Sequence, residues 1–118
     1  MRLNRLAISL LFCSTGLLTV AGQAPAATHR IEIISQRFSY QPDQITLKKG
    51  QPVTLALTTE DVSHGLAIKE LGVKLTAKKG HTEQVTFTPD KAGEFEGKCS
   101  VFCGVHHGSM RMKVVVTD

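Results

Sequence analysis

The chain has no tryptophan, one tyrosine and five phenylalanines in 118 residues. Its core must therefore come from aliphatic side chains. It has three cysteines, Cys13, Cys99 and Cys103, so disulfides do not substitute for that core. Beyond Val20 no apolar run approaches the ~20 residues of a membrane span. The fourteen Lys and Arg against ten acids give a net charge of +4. The lysines are spread through turns such as Lys49-Gly50 and Lys79-Gly80, not gathered into a stripe. Nucleic acid is therefore not expected as a partner.

What is present begins with a leader. Arg2 and Arg5 precede an apolar stretch from Leu6 to Val20, and Ala24-Pro25-Ala26 offers a small-residue cleavage site. This anatomy predicts a signal peptide over 1–26 and one domain over 27–118. The expected location is periplasmic, or otherwise exported, with no membrane span in the mature chain. An uncleaved anchor is disfavoured because the apolar stretch is short. Lipidation at Cys13 is disfavoured because bulky Phe12 precedes it. Cleavage removes two Arg and no acids, so the mature charge falls to +2.

The mature part is rich in Val, Ile, Leu and Thr, which suits strands. Thr28 to Phe38, Gln44 to Lys48, Val53 to Thr59, His64 to Ile68, Leu71 to Leu75, Glu83 to Thr88, Glu94 to Lys98 and Met110 to Thr117 read as short strands. Tyr40-Gln41-Pro42-Asp43, Lys49-Gly50-Gln51-Pro52 and Pro89-Asp90-Lys91-Ala92-Gly93 read as turns. Seven or eight closely spaced strands and no convincing helix predict an all-β sandwich or barrel.

Between the last two strands lies Cys99-Ser100-Val101-Phe102-Cys103-Gly104-Val105-His106-His107-Gly108-Ser109-Met110. Two thiols, an imidazole and a thioether in twelve residues suit copper better than magnesium or calcium. Gly104 and Gly108 are expected to give the backbone freedom that brings Cys99, Cys103, His107 and Met110 to one point. Paired cysteines in an oxidising compartment usually form a disulfide. The adjacent His107 and Met110 favour metal, although the apo thiols could still oxidise to each other. A second imidazole is expected from His64, at the start of a strand after a polar loop. His106 is expected to be solvated near the site, His29 and His81 to lie on the surface, and Met112 to pack.

These residues resemble the copper domain of cytochrome c oxidase subunit II and the similar domain of nitrous oxide reductase. Cys99, Cys103, His107 and Met110 fit that family's Cys-x-x-x-Cys-x-x-x-His-x-x-Met loop without a gap. Asp61-Val62-Ser63-His64 is similar to the segment carrying its other histidine. The resemblance covers about residues 29–118. It implies a cupredoxin-like Greek-key β-sandwich holding a binuclear CuA centre of two copper ions. His64, Cys99, Cys103, His107 and Met110 would then be the side-chain ligands, and Val101 would supply a backbone carbonyl.

The departures bear on function. Val101 stands where the oxidase family usually has Glu, so the family's interface metal site is not expected. The Trp of its electron-entry patch is missing, and so is a preceding transmembrane hairpin. The expected function is a periplasmic electron-transfer protein, free-standing or an accessory subunit of an oxidase-type or other reductase complex. Its partner would be a c-type cytochrome or a terminal oxidase or reductase. The alternatives are a copper chaperone or storage protein and a mononuclear blue-copper carrier. Catalysis by the chain alone is not expected, because protein ligands would saturate the site and no second cluster or haem motif is present.

Overall fold

The computed structural model describes residues 28–118. The expected leader over 1–26 lies outside the described residues. Alternating apolar and polar residues fold into nine strands: β1 His29–Gln36, β2 Ser39–Gln41, β3 Gln44–Lys48, β4 Val53–Thr59, β5 His64–Ile68, β6 Val73–Ala77, β7 Thr82–Phe87, β8 Gly93–Lys98 and β9 Arg111–Thr117. Short 3-10 turns occupy Lys69–Leu71 and His107–Ser109. Among the described residues no helix is long and apolar enough to cross a membrane.

The strands form two sheets, ordered β2-β1-β4-β7 and β3-β9-β8-β5-β6. Two pairings are parallel, β1 with β4 and β3 with β9; the other neighbours are antiparallel. The inward faces bury Ile33, Leu55 and Leu57 from one sheet and Ile45, Leu66, Ile68, Met112 and Val114 from the other. This aliphatic core makes an all-β sandwich, as the composition predicts. Met112 packs in it.

β3 follows its sequence alternation, with Ile45 and Leu47 buried and their neighbours exposed. β4 does not. Thr54 and Ala56, on its outward face, are also buried. The flanking strands explain this. Arg30 on β1 lies opposite Thr54, and Gln84 on β7 lies opposite Ala56. The Arg30 guanidinium donates to the Gln84 side-chain oxygen at 2.8 Å, spanning the small side chains between them.

Three expectations shift. The stretch read as a turn at Tyr40 includes the short strand β2. Its Tyr40 ring is buried while Ser39 and Gln41 are exposed. The sixth strand starts at Val73, not Leu71, because Gly72 caps a 3-10 turn in a left-handed conformation (φ 68°). The first strand ends at Gln36, before Arg37 and Phe38 turn towards the Cys loop.

The sandwich has one functional end. β4 ends at Thr59, β5 begins at His64, and β8 hands the chain to the Cys loop at Lys98. Gly97, just before the loop, has no room for a side chain. A Cβ there would lie 2.8 Å from both Leu66 Cδ1 and Met112 Cγ. The loop thus starts from a strand pressed onto the core.

Candidate metal centre

Cys103 stands at the middle of a cluster of soft donors. Its Sγ lies 3.7 Å from Cys99 Sγ, 3.6 Å from His107 Nδ1 and 3.7 Å from Met110 Sδ. Cys99 Sγ lies 3.1 Å from the Val101 carbonyl oxygen. The nitrogen and sulfur donors of His64, Cys99 and Cys103 fall within 4.8 Å of one another, and all three residues are buried. The six residues singled out in the sequence therefore meet at one end of the sandwich. The sulfur–sulfur distance is nearly twice that of a disulfide (about 2.05 Å), and both cysteines are free.

The arrangement follows from local structure. β8 and β9 are hydrogen-bonded from Gly93 and Val116 to Lys98 and Arg111. The Cys99 N–H then donates to the Met110 carbonyl, which closes the loop's base. This pins Cys99 and Met110 side by side. The 3-10 turn at His107–Ser109 returns the chain, and the Met110 N–H donates to the His107 carbonyl. Of the two loop glycines, only Gly104 needs its freedom. Its φ is +139°, and a Cβ would lie 2.9 Å from the Phe38 ring. Gly108 has ordinary backbone and open space around it.

His64 supplies the clearest test of whether a metal fits. Its side chain is 0% exposed. Nε2 donates to the Asp61 carboxylate at 2.6 Å. With the proton held there, Nδ1 carries the lone pair. Nδ1 is buried with no hydrogen-bond partner, the only such side-chain nitrogen or oxygen among the described residues. A buried polar atom left alone is costly. A thiophilic metal beside Cys99 and Cys103 removes that cost. The donor set of two thiols, two imidazoles, a thioether and a carbonyl suits copper.

Asp61 holds this end together. Its carboxylate also accepts from the Arg37 N–H and the Val62 N–H, both at 2.7 Å. The Arg37 guanidinium reaches across to donate to the Cys103 carbonyl at 3.1 Å. Partial burial pushes the Asp61 carboxyl upward. The bonds from Arg37, His64 and Val62 outweigh it and hold the group below the usual carboxylate range. Burial pushes the Cys103 thiol up to about 11, and the Cys99 thiol and Asp61 add to the shift against the opposing Arg37 charge.

Asp61 yields a prediction. Its pKa is lower folded than unfolded, so the stability it adds is present above the ordinary carboxylate value of about 4 and is lost as pH falls through the folded value. Asp61→Asn should therefore flatten the urea midpoint of the apo protein against pH across that acid window. It should also weaken copper retention about 10–100-fold in a chelator competition, because His64 loses the partner that fixes its tautomer.

The sequence signal for Asp61 was its place three residues before His64 in a polar loop. Arg37 carried no local signal, since its role comes from the β1–β2 turn lying against the metal end. His106 is exposed and meets Phe38 edge-on, with ring centroids 5.1 Å apart. His29 and His81 are exposed. Around the buried donors, Phe102 and Val105 are 78% and 88% exposed, a large apolar surface on a short loop.

Comparison with known proteins adds the family. The model of the periplasmic domain of cytochrome c oxidase subunit II matches residues 27–117. A nitrous-oxide reductase of Ralstonia nicotianae is 38% identical over 90 residues, covering 73% of this chain and 14% of the reductase. The chain thus spans only about a seventh of that relative's length. Cytochrome c oxidase subunit 2 of Thermus thermophilus is 26% identical over 90 residues, covering 76% of this chain and 67% of the subunit. The fold is that of the periplasmic domain of subunit II of cytochrome oxidase from Bradyrhizobium japonicum. The TM-score is 0.71 at 22% identity, over 81% of this chain and 88% of that one.

Proposed function

This chain belongs to the cytochrome c oxidase subunit II periplasmic-domain family, and from that membership we propose that it is a copper electron-transfer protein with a binuclear CuA centre. The observation that carries the reading is the pair of buried, unbonded sulfurs 3.7 Å apart, with the unpartnered Nδ1 of buried His64 close by. Two thiolates so placed can each face two metals, whereas a mononuclear blue site needs one. His64, Cys99, Cys103, His107 and Met110 would hold the ions through their side chains and Val101 through its carbonyl. The bound pair would supply a one-electron couple shared over two metals and two sulfurs.

The protein's own contribution is to hold these donors still. Cys99 and Met110 are tied at the loop base, His64 is fixed by Asp61, and the Cys103 carbonyl is held by Arg37. Little then moves when one electron arrives or leaves. Held by the six donor residues, the ions would have no open position for a substrate, and the chain alone would perform no turnover.

Electrons would enter or leave at the exposed loop. Phe102 presents an apolar face and its ring centroid lies 5.9 Å from that of His107. A c-type cytochrome or a terminal oxidase or reductase fits that role. The proposed location is the periplasm, after removal of residues 1–26.

The test is copper stoichiometry on the loaded protein with its visible and EPR spectra. The expected result is two coppers per chain, a purple colour and one unpaired electron shared by both metals. One copper with a blue spectrum overturns the binuclear centre. A single Cu(I) that passes freely to an apo acceptor favours copper delivery instead.

A further inference from the structure

Gly65 is held on both sides. Its N–H donates to Cys99 Sγ at 3.5 Å, and its carbonyl accepts a hydrogen bond from the Tyr40 hydroxyl. A Cβ on Gly65 would collide with the Ser100 hydroxyl and lie 3.2 Å from the Leu75 carbonyl oxygen, so the backbone here is in close contact with the start of the metal loop. Tyr40 lies on β2 in one sheet and Gly65 on β5 in the other. Their bond therefore crosses the sandwich directly beneath the donors. Tyr40 is buried, and its hydroxyl is held against the Gly65 carbonyl.

We propose that Tyr40 is a positioning residue for the copper centre: by fixing the Gly65 backbone it aims the Gly65 N–H at the Cys99 sulfur. The inference deepens the CuA reading and rests on it. An N–H directed at a ligating sulfur withdraws charge from it and favours the reduced site, so this bond sets part of the reduction potential. Tyr40 is not one of the proposed ligands; its hydroxyl is bonded to the Gly65 carbonyl beside Cys99.

The chain's single tyrosine makes the test clean. Tyr40→Phe keeps the ring and removes the hydroxyl. In the apo protein the Gly65 amide should then exchange with solvent roughly threefold to tenfold faster, the loss of one ordinary hydrogen bond. Its proton resonance should shift upfield. In the copper-loaded protein the potential should fall. Fluorotyrosine supplied in the growth medium labels Tyr40 alone and makes the hydroxyl a stronger donor. It should move the Gly65 amide resonance and the potential the opposite way, and it serves should Tyr40→Phe fail to fold. A changed melting temperature with an unmoved Gly65 amide and an unmoved potential makes Tyr40 purely structural and overturns the proposal. The apo amide readout needs no copper. A failure of the two-copper stoichiometry is therefore distinguishable from a failure of the Tyr40 inference.

Discussion

Cys103→Ser should reduce copper binding from two ions to at most one and erase the spectrum of a shared electron. Cys103 Sγ is the atom common to the contacts with Cys99, His107 and Met110. A hydroxyl there is a hard, weak donor that cannot bridge two soft metals. The fold should survive, because serine is no larger than cysteine and His107 Nδ1 stands beside it as a polar neighbour. Burying its hydroxyl should cost about 1–3 kcal/mol in the apo protein. The pH dependence gives a second reading of the same variant. Because burial holds the Cys103 thiol protonated up to about 11, loading copper at neutral pH must expel its proton. Apparent affinity in the wild type should climb with pH towards that value. The slope should lose about one proton in Cys103→Ser, as measured by chelator competition between pH 6 and pH 9, a range of about three units around the ordinary thiol value. A variant that still binds two coppers with the shared-electron signal would remove Cys103 from the bridge.

Gly104→Ala should be strongly damaging although the residue offers no side-chain ligand. Two independent costs meet at this position. Its φ of +139° is a conformation side chains rarely adopt, and the new Cβ would lie 2.9 Å from Phe38 Cε1 and Cζ. Strained backbone of this kind costs about 1–3 kcal/mol, and overpacking adds about 1–3 kcal/mol. Relief requires the loop to move. That would break the Arg37–Cys103 bond and separate Cys103 from the other sulfurs. A fall in melting temperature on the order of 10–20 °C is expected for a domain of this size, with loss of copper from any folded fraction. Gly108→Ala is the control. Nothing lies within 4 Å of its Cβ position and its φ is ordinary, so stability and copper content should be nearly unchanged. Equal damage from both variants would mean that the loop's overall flexibility matters, not the one backbone angle.

Much of this was legible from residue order alone. Period-two alternation located most strands, because one face of each lies on the core. It failed on β4, where Arg30 and Gln84 roof over the outward Thr54 and Ala56. It missed β2, since three residues are too few to show a period and Pro42 follows at once. The donors of the Cys loop were readable because they sit at fixed short spacings in one segment. His64 was readable from its place after a polar loop, and the structure brings it to the same point. The groups that hold the donors were less visible. Tyr40 and Arg37 act through contacts between segments far apart in the chain, which no local pattern encodes, and Asp61 had only its place three residues before His64 to mark it. The two loop glycines looked alike in sequence. Only packing against Phe38 separates them.

The place of β9 has a consequence for the order in which the molecule is assembled. The last strand in the chain is not at an edge; it lies between β3 and β8, joined to β3 in parallel register from Gln44 with Lys113 to Lys48 with Thr117. Met110 and the base of the loop are fixed only when β9 has seated. Closing such distant pairings is slow, on the order of milliseconds to seconds. His64 therefore joins the loop donors, and the loop base is fixed, only when the sheets are complete. A chain that has not finished folding offers only the closely spaced donors of one flexible loop. The complete, rigid centre is thus a late product of folding.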